Sequence, residues 1–249
     1  MGFWAQYTNN FKKKNKMPKF EDLENQLGIQ FQNRELLIQA FCHRSYLNEH
    51  PDFLLPHNER LEFLGDAVIE LVVTEYLFLE FPEKEEGILT CWRAALVNSK
   101  TLSKIAQELD FGKYLLLSKG EAKEAEKKGK SYLDILANTF EAFVGALYLD
   151  KGYKACKSFL CKHLIKELPA IIRNRSFVDA KSRFQEVAQE KLRITPTYKI
   201  LKEWGPDHNK HFIAGVYLEE ELVAKGQGSS KQEAEEEAAK KALKKKGWE

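Results

Sequence analysis

From Phe20 to about Arg173, apolar residues recur at three- and four-residue spacing with few β-branched runs, a pattern that predicts helix after helix. Leu61, Leu64, Val68, Leu71 and Val72 form one such stripe, and Ile135, Phe140, Phe143, Val144 and Leu147 another. Gly112, Gly120, Gly129 and Gly152 punctuate the region, and the charged stretch Lys119 to Lys130 reads as a solvated loop or mobile excursion. No internal repeat is visible. After Pro169 the pattern changes. Asn174, Arg175 and Ser176 make a short polar joint, and a new helical pattern starts at Lys181 and stops at Pro196. Thr197 to Leu201, His211 to Tyr217 and Leu222 to Lys225 then read as short strands, the last ended by Gly226 and Gly228. Ser229 and Ser230 stand at the N-cap position of an alanine-rich helix running to Lys246. The expected order is a helical region, then helix, three strands, helix.

A chain of 249 residues agrees with two domains and is long enough for a real core. Hydrophobic residues make up 43%, charged residues 31%, and mean hydropathy is −0.47, a balance that excludes a mostly disordered or membrane-embedded chain. The longest apolar stretch, Ala67 to Val73, is interrupted by Glu70 and falls far short of the ~20 residues of a spanning helix. The first sixteen residues place lysines after the apolar positions, the wrong order for a secretory signal, so a cytoplasmic location without membrane attachment is expected. Cys42, Cys91, Cys156 and Cys161 then read as reduced core thiols, and Cys156, Cys161 and His163 lack the second ligand pair of a zinc finger. Lys plus Arg is 39 against 37 for Asp plus Glu, so any nucleic-acid role must come from local patches.

In NERLEFLGDA, residues 58 to 67, Glu59, Glu62 and Asp66 recur at i, i+3 and i+7, so a helix carries all three on one face. Three acids on one stripe repel each other unless a hard cation such as Mg²⁺ sits among them; the alternative is a solvated acidic face. Gly65 beside Asp66 favours the first reading, because an interior helix glycine often marks a close approach. A second helix, Leu133 to Asp150, carries Asn138 and Glu141 in an otherwise apolar run, where a carboxylate needs a partner. A metal shared with the first helix supplies one; an ordinary hydrogen-bonded buried pair is the alternative. The chemistry that such a metal site implies is phosphoryl transfer or phosphodiester hydrolysis.

NERLEFLGDA together with ILANTFEAFVGALYLD resembles bacterial ribonuclease III, and the helix, three strands, helix tail resembles its double-stranded RNA-binding domain. CHRSY at 42 to 46, EEG at 85 to 87 and RAALVNSKTL at 93 to 102 match as well. The resemblance spans about residues 20 to 246. It implies a mainly α protein: residues 1–19 an N-terminal extension, 20–173 an all-helical catalytic domain, 174–178 a linker, and 179–249 a small α-β-β-β-α double-stranded RNA-binding domain. It implies metal-binding acids at Glu62, Asp66 and Glu141, with Asp66 and Glu141 as the catalytic pair. Glu59 and Glu86 match further acids of the cleavage valley, Glu121 another that contacts substrate, and Phe63 an interface aromatic; the plainer reading of Phe63 is core. Where the family most often has Asp, this chain has Asn138, whose amide oxygen can still ligate Mg²⁺ with one charge fewer.

In the tail, Lys181, Gln185 and Gln189 at i, i+4 and i+8 share a helical face, with Phe184, Val187 and Leu192 expected in the core. Neutral amides suit the 2′-hydroxyls and base edges of the shallow A-form minor groove, while phosphates need cations. His208 falls in a loop, and Ser230 and Lys231 at the start of the last helix face phosphates. Gln232 stands where the family usually has a second base, and Glu233, Glu235, Glu236 and Glu237 make that helix start acidic. Residues 176–249 hold 14 Lys and Arg against 13 Asp and Glu, so weak, salt-sensitive binding by the tail alone is expected.

The resemblance therefore implies a homodimeric endoribonuclease that hydrolyses double-stranded RNA with Mg²⁺, or Mn²⁺ in its place. It leaves 5′-phosphates and staggered 3′-hydroxyls, needs no small-molecule cofactor, and acts on ribosomal RNA precursors and structured messenger RNAs. Its tail domains span on the order of 16 base pairs each by shape. The alternative is a non-catalytic double-stranded RNA-binding protein, for which Asn138 is the support.

Overall fold

Apolar positions at helical spacing build nine α-helices in the first part of the computed structural model, which describes residues 17–174, 180–206 and 210–248. The chain divides into two units on either side of the Asn174–Arg175 bond. The first unit contains α1 (Phe20–Leu27), α2 (Arg34–Ala40), α3 (Arg44–Glu49), α4 (Glu59–Glu80), α5 (Glu86–Val97), α6 (Ser99–Glu108), α7 (Lys119–Ala125), α8 (Lys130–His163) and α9 (Leu168–Asn174). Asn33, Asn98 and Ser118 cap α2, α6 and α7 by accepting a hydrogen bond from the N–H of Glu35, Thr101 and Glu121. All four cysteines are free thiols, but only Cys42 and Cys156 are core: Cys91 is exposed, off the Trp92, Ala95 and Leu96 face that α5 buries, and Cys161 is half-buried. No helix of the described residues is long and apolar enough to cross a membrane.

The centre of this unit is α8, whose Leu136, Ala137, Phe140, Phe143, Val144 and Leu147 are all buried. Phe143 meets Phe41, Phe111 and Phe159 at ring-centroid distances of 6.4, 5.2 and 5.1 Å, so one aromatic cluster ties α8 to the end of α2 and to the turn at 111–113. Gly152, at φ 74°, breaks the helical backbone of α8 and re-aims the part of the helix that follows. The charged stretch expected as a loop forms α7 instead. Its Lys, Glu and Ala residues are good helix formers, and its start is anchored by Ser118 N–H to Ser45 Oγ and Lys119 N–H to the Glu49 carboxylate.

The second unit is α10 (Ala180–Leu192), β1 (Thr197–Trp204), β2 (His211–Leu218), β3 (Glu221–Gly228) and α11 (Lys231–Lys246). The strands form one antiparallel sheet in the order β1-β2-β3. Phe184 and Ala188 of α10 pack with Val216, Val223, Ala238, Ala239 and Ala242 to form its core. Leu192 is 44% exposed, correcting its expected core place, because α10 ends there and the chain turns away through Arg193 at φ 61°. Gly228 is the last residue of β3, as expected, whereas Gly226 lies inside the strand. A Cβ on Gly226 would stand 2.1 Å from the Ala238 nitrogen, so the glycine lets α11 lie against the sheet. Ser230 accepts from Glu233 N–H while the Glu233 carboxylate accepts from Ser229, which seats the acidic helix start in a reciprocal cap.

Candidate active site

The first turn of α4 is pinned before any acid is placed. Asn58 is 3% exposed; its N–H donates to Cys42 O at 2.9 Å and its side-chain amide to Ala40 O at 3.2 Å. Its own carbonyl accepts from Leu61 and Glu62 N–H. Glu59 and Glu62 thus lie in a helical first turn, where the dipole favours carboxylates. Further along, Asp66 is exposed, Glu62 half-buried, and Val68, Ile69, Val72 and Val73 turn into the core.

The site acids of α4 meet α8 at a close crossing. A Cβ on Gly65 would lie 1.8 Å from the Glu141 carbonyl oxygen, and one on Gly145 would lie 2.1 Å from the Leu61 carbonyl oxygen. Asn138 and Glu141 stand one turn apart on α8 at this crossing, Asn138 exposed and Glu141 half-buried, so the pair lies at the solvent edge of the apolar run rather than deep within it. Burial, then the charges of Asp66 and Glu62, push the Glu141 carboxyl up to about 8. Burial, then Glu59 and Asp66, raise that of Glu62. The two helices therefore gather carboxylates whose charges oppose one another. Among the described residues no group of three or more His, Cys, Asp or Glu side chains is placed to hold a metal ion. The donor types present, carboxylates and one amide oxygen, are those that a hard divalent cation with several waters takes.

Glu59 lies beside this group, with Arg44 Nη1 at 3.6 Å and His57 Nδ1 at 3.8 Å from its carboxylate. His43 faces both Glu59 and Glu121; burial lowers its pKa, against the raising effect of Glu121 and Glu59. Its Nδ1 accepts from Ser45 N–H, and Glu121 accepts from Ser131 Oγ at 3.4 Å near the start of α8. The CHRSY and HNE segments carry Arg44, His43 and His57, which the spacing of acids alone did not single out. Glu86 is not with the others. It opens α5 and lines a groove with Phe78, Phe81 and Thr90, whereas Arg93 of α5 reaches Glu70 and Thr74 of α4. Glu86 therefore sits beside Phe78 at the far end of α4, about 18 Å of helix rise from Asp66.

Phe63 is 82% exposed and so is not core. With Ala67, Leu71, Thr74 and Phe78 it forms an exposed stripe along α4 at helical spacing.

In the second unit Gln185 and Gln189 are exposed on α10, and Gln189 Nε2 donates to Thr195 Oγ1. Lys181 is held at 2.7 Å by Glu235 and lies 4.9 Å above the Tyr198 ring. Lys231 is exposed over the Phe212 ring and Ser230 caps α11. His208 lies outside the described residues.

A family model described as Ribonuclease-III-like matches residues 33–168, and one described as Double-stranded RNA binding motif matches residues 180–246. The chain is 48% identical over 225 residues to Ribonuclease 3 of Geobacillus kaustophilus, covering 90% of each chain. It is 44% identical over 228 residues to Ribonuclease 3 of Nitratiruptor, covering 92% of this chain and 97% of that one. The solved nuclease domain of ribonuclease III from Campylobacter jejuni superposes with a TM-score of 0.54 at 40% identity, covering 61% of this chain and 99% of that one. A helical nuclease unit with acids gathered from two crossing helices is joined to a double-stranded RNA-binding motif, and the chain belongs to the ribonuclease III family, as an endoribonuclease of double-stranded RNA.

Proposed function

We propose that Glu62, Asp66, Asn138 and Glu141 hold Mg²⁺, or Mn²⁺ in its place, and that Asp66 and Glu141 are the catalytic pair for phosphodiester hydrolysis. The observation that carries this reading is the close α4–α8 crossing, which sets Glu141 beside Asp66 and Glu62; burial, and then those two charges, raise its carboxyl to about 8. Such mutual repulsion is unfavourable until a cation relieves it. When bound, the cation stabilises charge on the phosphate and lowers the pKa of the attacking water. Asp66 and Glu141 orient that water and the scissile phosphate, and Asn138 contributes a neutral oxygen. Cleavage leaves a 5′-phosphate and a 3′-hydroxyl. Glu59, with its Arg44 and His57 partners, and Glu121, beside His43, line the approach of the strand.

The functional unit is a homodimer joined through α4. The Campylobacter jejuni nuclease domain is described as structurally flexible in a region involved in dimer formation. In the present chain Phe63 lies eight residues before Leu71 and Phe78 seven residues after it, so a two-fold axis near Leu71 sets Phe63 of one copy beside Phe78 of the other. Phe78 borders a largely apolar cavity of about 630 Å³ that has room for an aromatic ring. The same symmetry carries Glu86 toward the acids of the other copy and presents two sites to the two strands, giving staggered ends. In the second unit Lys181, Gln185, Gln189, Ser230 and Lys231, with His208, grip the duplex by shape. Ribosomal RNA precursors and structured messenger RNAs are the substrates, met in the cytoplasm. Glu141→Gln tests the site: cleavage should be lost while duplex binding in chelator is kept, and an unimpaired variant would refute the assignment.

A further inference from the structure

We infer that Gly65 and Gly145 are positioning residues that set the spacing of the metal-binding oxygens, by allowing the backbones of α4 and α8 to touch where those oxygens are carried. This rests on the assignment of Glu62, Asp66 and Glu141 proposed above and deepens it. The contact is reciprocal. The Cα of Gly65 faces the carbonyl of Glu141, and the Cα of Gly145 faces the carbonyl of Leu61, with a Cβ on either falling 1.8 or 2.1 Å from the opposing oxygen. Neither obstacle is a side chain that can swing aside. Each is main chain inside a regular helix, so a methyl group must displace one helix from the other. The residues touched are those of the site: Glu141 itself, and Leu61, which precedes Glu62. Gly65 lies between Glu62 and Asp66, and Gly145 follows Glu141 by one helical turn. A displacement at this crossing is therefore transmitted to the gap between the α4 carboxylates and Glu141 with little attenuation. The contact also accounts for a glycine in the interior of α4 despite its cost in helix propensity.

The test is metal binding by titration calorimetry on the full-length protein, with thermal melting in chelator beside it. Gly145→Ala should weaken Mg²⁺ binding about tenfold or more, the size of effect seen when support behind a metal ligand is removed. Gly65→Ala should do the same, and the double variant should lose less than the product of the two, because one displacement serves both methyl groups. Phe159→Leu, in the α8 core away from the crossing, should lower the melting temperature and leave metal affinity unchanged. Unchanged Mg²⁺ affinity in folded Gly145→Ala, where Glu141→Gln abolishes binding, overturns the positioning role and leaves the site assignment standing; unchanged affinity in Glu141→Gln overturns the assignment itself. Should Gly145→Ala not fold, crystal structures of the unaltered protein with and without Mg²⁺ decide. An identical α4–α8 crossing in both supports the role, and helices drawn together by the metal contradict it.

Discussion

Lys181 of α10 and Glu235 of α11 form an ion pair at 2.7 Å, with the lysine also over the Tyr198 ring. A lysine of the expected RNA-binding face of α10 is thereby shared with an acid of its own domain. Glu235→Gln removes this acid from beside the lysine: binding of an RNA duplex should tighten, and the plot of log affinity against log salt should steepen, by at most about one unit. Duplex titrations at several salt concentrations check this, and an unchanged slope would show that Lys181 takes no part.

The Glu141 carboxyl, raised to about 8 from an ordinary 4.5, links the first domain to pH. Its protonated form is favoured by the fold, so the metal-free protein should be most stable below about pH 4.5 as far as this group is concerned. That increment should be lost as pH rises through about 8. Metal binding needs the ionised form, so Mg²⁺ affinity should climb with pH and level off above about 8. Urea melts in chelator and calorimetry over that range check both signs, and Glu141→Gln should flatten the first.

Asn138 is exposed one turn from Glu141. Asn138→Asp adds a charge to the donor set and should lower the half-saturating Mg²⁺ concentration about three- to tenfold. It should also push the Glu141 carboxyl higher in the metal-free protein. A Mg²⁺ titration in which Asn138→Asp changes nothing would remove residue 138 from the site.

Phe63→Asp or Phe78→Asp places a charge on the exposed α4 stripe. Either should cost the dimer about 2 kcal/mol or more, some thirtyfold in association, read by sedimentation at falling concentrations. Melting of the isolated protomer should barely change, since Phe63 is 82% and Phe78 70% exposed.

Much of this was legible in the sequence, for reasons that differ along the chain. The α4 and α8 stripes are long and their apolar spacing strict, and Ser230 sits where a cap must sit, so these elements could be placed from periodicity. The stretch 119–130 could not. Its charges give no amphipathic stripe, and α7 is secured by Ser45 and Glu49, distant in sequence. Gly226 looks like part of a strand end because the helix backbone that requires a glycine there, at Ala234 and Ala238, belongs to the next element. The i, i+3, i+7 acids were visible, and Gly65 hinted at a close approach. The reciprocal role of Gly145, the pinning of α4 by Asn58 and the exposure of Phe63 depend on which helix faces which, and no local pattern encodes that. Glu86 matched by sequence yet lies about half the length of α4 away from Asp66 in the same chain.

Metal-dependent cleavage of double-stranded RNA at the α4–α8 acids is checked by incubating the full-length protein with a labelled RNA duplex, and with matched single-stranded RNA and duplex DNA, in Mg²⁺ and then in excess chelator. Cleavage of the RNA duplex alone, abolished by chelator and by Glu141→Gln, is the predicted result. Binding of the duplex without cleavage, across titrations of both Mg²⁺ and Mn²⁺, would contradict it.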